Sequence, residues 1–136
     1  MRRLVATLLF AFALPAFASH DGVRVFERAD RIQTEAYLIP GDEWDWRPGA
    51  LPHNWYADSP PFSQVWYRLR FSLDHAPYVG HSLYLARLPV TDLTVYVNER
   101  QIWRLTERNA RGSALTALLI TVPTDLLRAG ENVIHL

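Results

Sequence analysis

Five tryptophans and an arginine pair are the residues best equipped for chemistry in this 136-residue chain. Trp44, Trp46 and Trp55 precede a strongly alternating segment, Trp66 opens it, and Trp103 closes a later one. An indole face stacks on a sugar ring or another flat ligand, and its N–H can hydrogen-bond a hydroxyl. The same rings can instead pack over the end of a β-sandwich. Trp44 and Trp46 sit in an acidic stretch where only one of them can comfortably point inward. Arg68 and Arg70 share a strand face with Trp66. A guanidinium there can take a carboxylate ligand, or it can pair with Asp or Glu on a neighbouring strand. The pairing within the protein is the preferred reading. Trp44, Trp46, Trp55, Trp66, Arg68 and Trp103 together form the expected ligand-binding set.

Catalytic patterns are weak by comparison. Asn98-Glu99 repeats the pair that carries the acid/base in many retaining glycosidases. It falls in an expected hairpin turn, and no second carboxylate is implied at the roughly 5 Å separation that retention requires. The histidines, His20, His53, His75, His81 and His135, lack metal-ligand spacing. Asp42, Glu43 and Asp45 are acidic and clustered, but they lack the spacing of a calcium loop and read as solvated. Gly112-Ser113 lacks the second glycine of a nucleophile elbow, and no phosphate loop occurs. The expectation is a chain without an active site, a cofactor or a metal.

The N-terminus reads as a secretory signal. Arg2 and Arg3 form a basic start, Leu4 to Leu14 is apolar apart from Thr7, Pro15 breaks the run, and Ala16-Phe17-Ala18 supplies the small residues of a cleavage site. The run is too short for a bilayer, which needs roughly 20 residues. Residues 1–18 are therefore the expected signal peptide and 19–136 one exported, periplasmic domain. Removing Arg2 and Arg3 from the 14 basic residues leaves 12 against 14 acidic. A mildly acidic product argues against nucleic acid as a partner. Without cysteine, an exported chain must rely on burial for its stability.

Prolines and glycines punctuate the mature chain, and most segments between them alternate with period two, an all-β signature. Val65–Leu73 is the clearest strand, with Tyr67, Leu69, Phe71 and Leu73 expected to face the core and Trp66, Arg68, Arg70 and Ser72 to face outward. Ser82–Leu88 and Leu93–Val97 follow. Asn98-Glu99 then turns the chain into Arg100–Arg104, although Glu is an uneasy residue for positive φ and a different turn is open. Leu105–Ser113 reads as an exposed loop and Ala114–Val122 as a buried strand. Thr124 or Asp125 is expected to cap one helical turn that Gly130 ends, and Asn132–Leu136 starts a last strand. Upstream, Gly22–Glu27 and Glu35–Ile39 are plausible strands, and Gly41–Tyr56 an aromatic loop. About eight strands result.

Four phrases in order carry a resemblance: Leu51-Pro52 with Trp55, Trp66-Tyr67-Arg68, Val95-Tyr96-Val97-Asn98, and Leu126 through Ile134. Covering roughly Asp42 to Leu136, they resemble the galactose-binding-like jelly roll. One version is the periplasmic N-terminal sensory domain of bacterial sensor histidine kinases and diguanylate cyclases; the phrases are also similar to the sugar-binding domain of family 2 glycoside hydrolases. The resemblance implies a two-sheet jelly-roll β-sandwich that binds a carbohydrate or other small molecule and catalyses nothing itself. It also implies membrane-spanning and signalling domains downstream, and the early stop at Leu136 reads as a truncated or free-standing domain. The chain departs from the pattern at Glu99, where Asn-Gly is usual.

Overall fold

The computed structural model describes residues 22–53, 64–86, 92–106 and 117–136. Eight strands lie in these segments: β1 (Arg28–Thr34), β2 (Arg47–Ala50), β3 (Gln64–Leu73), β4 (His81–Leu85), β5 (Leu93–Val97), β6 (Arg100–Leu105), β7 (Leu118–Val122) and β8 (Gly130–His135). They form a six-stranded sheet in the order β2-β1-β3-β8-β5-β6 and a two-stranded sheet β4-β7. Every pairing is antiparallel. The architecture is all-β and consistent with a β-sandwich. Among the described residues no helix is long and apolar enough to cross a membrane.

The core follows from alternation. Ala29, Leu69, Val95, Val97 and Ile134 point from the large sheet to Leu83, Ile120 and Val122 of the small one, and Leu127 closes the cluster. Leu69 lies on the face expected for it, and Tyr67, Phe71 and Leu73 pack beside it, partly buried. The opposite face of β3 points away from the core as expected and is covered: Trp66 is only 6% exposed and Arg68 only 9%. The segment between β1 and β2 lies against this face, as the contacts of Ala36, Asp42 and Trp46 show. Alternation marks which residues point away from the core, and it carries no information on whether a loop then covers them.

The hairpin between β5 and β6 has two central residues, both with positive φ: Asn98 at 47° and Glu99 at 70°. These are the signs of a type I′ turn, so Glu99 occupies the place that glycine usually takes. A register shift at Val95/Tyr96 follows it, leaving Ile102 as an extra residue on β6. Asn98 also leaves the hairpin. Its N–H donates to Val133 O at 2.8 Å, its Oδ1 accepts from Val133 N–H at 2.9 Å, and its Nδ2 donates to Leu126 O at 2.7 Å and Asn132 Oδ1 at 2.9 Å. Asn132, fully buried, accepts a further bond from Arg128 N–H and donates to the carbonyls of Arg128 and Gly130.

Upstream of Leu51 the strands lie elsewhere than expected. Gly22–Glu27 and Glu35–Ile39 are not strands; β1 lies between them, and β2 falls inside the stretch expected to be a loop. The sequence of β1, RADRIQT, lacks an apolar stripe. It is extended because β2 and β3 pair with its two edges. Pro48 is compatible with β2 because that strand lies at the sheet's edge. The Leu51–Pro52 bond is cis. The turn at Thr124–Leu126 has no side-chain cap; it is entered from Pro123, whose carbonyl accepts from Leu126 N–H at 3.1 Å. Gly130, at φ 82°, opens β8 and does not end that turn. Trp55 and most of the expected Leu105–Ser113 loop lie outside the described residues, as do the ends assigned to the strands at Leu88 and Ala114.

Two measurements check this packing. Leu69→Ala should cost about 2–5 kcal/mol in urea denaturation, and a loss under about 1 kcal/mol would reverse the assigned faces of β3. Asn98→Ala and Asn132→Ala should each destabilise the fold. The double mutant should lose less than their sum, by roughly 0.5–3 kcal/mol, because both remove the same bond. Strict additivity would remove the pair from this role.

Candidate functional site

Residues facing each other across neighbouring strands fall into rows, and two rows on opposite faces of the large sheet hold its polar chemistry. The outer row runs Asp30, Arg68, His135, Tyr96 across β1, β3, β8 and β5. Arg68 Nη1 donates to Asp42 Oδ1 at 2.6 Å, and its Nε and Nη2 donate to Asp30 Oδ2 at 3.3 and 3.1 Å. The Asp42 carboxylate also accepts from Arg70 at 2.7 Å. Trp46 covers the guanidinium, its ring centre 4.3 Å from Arg68 Cζ. The Trp46 and Trp66 indole N–H groups donate to the carbonyls of Gly41 and Ala36 at 2.9 and 3.0 Å. Trp66 also lies against Tyr96, with ring centres 5.8 Å apart.

On and over this face lie three residues of the expected binding set. Trp46 lies over Arg68, and Trp66 shares the Arg68 strand face, but their donors are taken up by the protein. The Arg68 pairing is the ion pair with a neighbouring strand that the sequence favoured. Trp44 sits in the same covering segment and is 42% exposed. Trp103 is on the other side of the sheet, half-buried against the core. The set therefore does not converge on one surface. Of the acidic stretch, Asp42 clamps β3 and Asp45 pairs with Arg47 at 2.7 Å. No group of three metal-ligating side chains occurs among the described residues.

His135 lies inside the outer row, 6% exposed, with its ring 5.9 Å from Trp46. Its Nδ1 has no hydrogen-bond partner among the described residues. Burial, and then the Arg68 charge, push its pKa below the ordinary 6.5. The folded chain thus holds the imidazole neutral.

The inner row was not legible in the sequence. Arg47, Arg31 and Tyr67 stand side by side on β2, β1 and β3, with Gln33 opposite Val65 one step on. These positions continue the core-facing side of the sheet beyond Ala29 and Leu69, where the apolar cluster ends. A cleft of about 360 Å³ opens there, with walls that include Arg31, Gln33, Asp45, Arg47, His53 and Val65. The Tyr67 hydroxyl is hydrogen-bonded to His53 Nδ1 at 2.7 Å. Burial raises the Tyr67 pKa, partly offset by the Arg31 charge, so the phenol stays protonated. The signal that could have pointed here is the polar pair Arg31 and Gln33 at alternate positions on the core-facing side of β1. It becomes readable only once β1 is known to be a strand.

Comparison with protein-family models, with curated proteins and with solved structures finds no match.

The sign of the His135 shift sets a pH dependence. Below its ordinary pKa of 6.5 the unfolded chain takes up a proton that the folded imidazole resists. Stability should therefore be full above that pH and fall as the pH drops towards the lower folded value. Urea midpoints measured at descending pH should show this decline, and His135→Gln should flatten it. An unchanged slope in the variant would assign the loss to other groups.

Proposed function

We propose that this chain is an exported, non-catalytic ligand-binding domain of the galactose-binding-like jelly-roll type, a sensory module of the kind that precedes a sensor histidine kinase or diguanylate cyclase. The observation that carries the reading is the open cleft at the end of the inner face, where Arg31, Gln33 and the hydrogen-bonded His53–Tyr67 pair supply orienting groups beside apolar Val65. Ligand sites commonly combine a concave surface with a few converging polar groups. The motif order supports the fold assignment. Trp66-Tyr67-Arg68, Val95-Tyr96-Val97 and Asn132-Val133-Ile134 lie on β3, β5 and β8, which are adjacent at the centre of the large sheet. The outer tryptophans serve the fold, and binding falls to the cleft.

A library of mono- and oligosaccharides and small organic acids, titrated while tryptophan emission and melting temperature are followed, should contain compounds that move both signals. A library that moves neither would overturn the binding reading. In the source genome, membrane spans leading to a kinase or cyclase downstream of Leu136 would agree with the sensory assignment. An immunoglobulin-like domain followed by a barrel there would replace it with the sugar-binding domain of a family 2-like glycoside hydrolase.

A further inference from the structure

The arginines of the large sheet are treated unequally. Among the described arginines, only Arg31 and Arg68 are drawn in from the surface, Arg31 in part and Arg68 to 9% exposure. Arg68 has two carboxylates and an aromatic face. Among the described residues, the Arg31 side chain meets no hydrogen-bond or ion-pair partner, in contrast to Arg68 and Arg47. Its neighbour across the strand pair is another arginine, Arg47. Like charges directly opposite each other on one sheet face are destabilising, and a partly buried guanidinium without acceptors carries a desolvation cost. Asp45 offsets one of the two charges by pairing with Arg47 at 2.7 Å. Of the two arginines and one aspartate among the described residues of the cleft wall, one positive charge is left over, at Arg31.

The backbone makes room for that side chain. Gly49, next to Arg47's neighbour on β2, lies under it, and a Cβ there would meet Arg31 Nε at 3.3 Å. On Arg31's other side stands the Tyr67 hydroxyl with its His53 partner, and Gln33 is two residues along the same strand. Among the described residues, the arrangement is a guanidinium fork with hydrogen-bonding groups around it, Gln33 and the His53–Tyr67 pair.

The geometry points to a small organic carboxylate as the ligand, its carboxylate on Arg31 and its polar remainder towards Gln33 and the His53–Tyr67 pair. A planar guanidinium matches a carboxylate through two parallel N–H···O bonds. One leftover positive charge fits a monoanion, whereas a phosphate dianion would stay under-compensated. The inference rests on the reading of the chain as a ligand-binding domain and specifies the chemistry of its ligand.

Matched pairs test it: glucuronate against glucose, galacturonate against galactose, and lactate against glycerol, with inorganic phosphate as a further probe. Binding is read by calorimetry and by the shift in melting temperature. At least one carboxylate should bind with its neutral counterpart silent. Arg31→Gln should weaken that binding by roughly 10- to 100-fold, the loss of a charge-assisted hydrogen bond. In ligand-free buffer the same variant should melt no lower than the parent, because its charge is unpaired in the fold. Gly49→Val should also weaken binding by crowding Arg31. If neutral sugars bind as well as their acids and Arg31→Gln changes nothing, the carboxylate assignment falls while the binding domain stands. Tighter binding of phosphate than of any carboxylate would also overturn it, as would a clear drop in the ligand-free melting temperature of Arg31→Gln, which would make Arg31 a structural residue. Silence from every compound would remove both readings.

Discussion

One side-chain amide ties the start of β8 to the β5–β6 turn. Asn132 is fully buried, and a buried amide is tolerable only when its donors and acceptor are matched. Here its two donors reach the carbonyls of Arg128 and Gly130, and its oxygen accepts from Arg128 N–H and Asn98. The bond to Asn98 joins the β5–β6 turn to the approach of β8. Asn98 can reach only because its backbone is left-handed, which brings the turn round towards Leu126 and Val133. The position of β8 between β3 and β5 depends on this pair, and Leu69, Ile134 and Val97 meet across those three strands as a consequence.

The parts of the fold legible in the sequence are those where one strand face meets the core. β3, β5 and β8 each place apolar residues at alternate positions, so period-two patterning finds them. β1 and β2 escape it for different reasons. The side chains of β1 serve an ion pair on one face and a cleft on the other, so neither face is an apolar stripe. β2 contains proline and glycine, which read as a turn unless the edge position is known. The burial of Arg68 and His135 is likewise illegible. Both stand at outward positions on their strands, and only a segment distant in sequence turns that face into an interior.

For the candidate site the same reasoning separates residue type from residue role. Residue type put Trp66 and Arg68 on one strand face, did not show that Trp103 lies across the sheet, and left their function open. The outer cluster satisfies nearly every polar atom it contains, His135 Nδ1 apart, so its energy is spent on holding the covering segment to β3. In the inner row Tyr67 and Arg47 are partnered by His53 and Asp45, and Arg31 has no such partner among the described residues. Consecutive residues link the two: Asp30 and Arg31 on β1, and Tyr67 and Arg68 on β3, contribute one side chain to each face. The ion pair between Asp30 and Arg68 thus fixes the strand register that sets Arg31 beside Tyr67.

Pro48 on the edge strand also bears on how the molecule behaves among its own kind. A sheet edge with free N–H and C=O groups is a template for another chain. β2 is only four residues long, contains Pro48 and Gly49, and so presents a short and donor-poor rim. At the far edge, β6 carries exposed Arg100, Gln101 and Arg104. Both margins of the large sheet discourage strand addition, one through its backbone and the other through charge. In a chain without cysteine, this gives colloidal protection that needs no covalent crosslink.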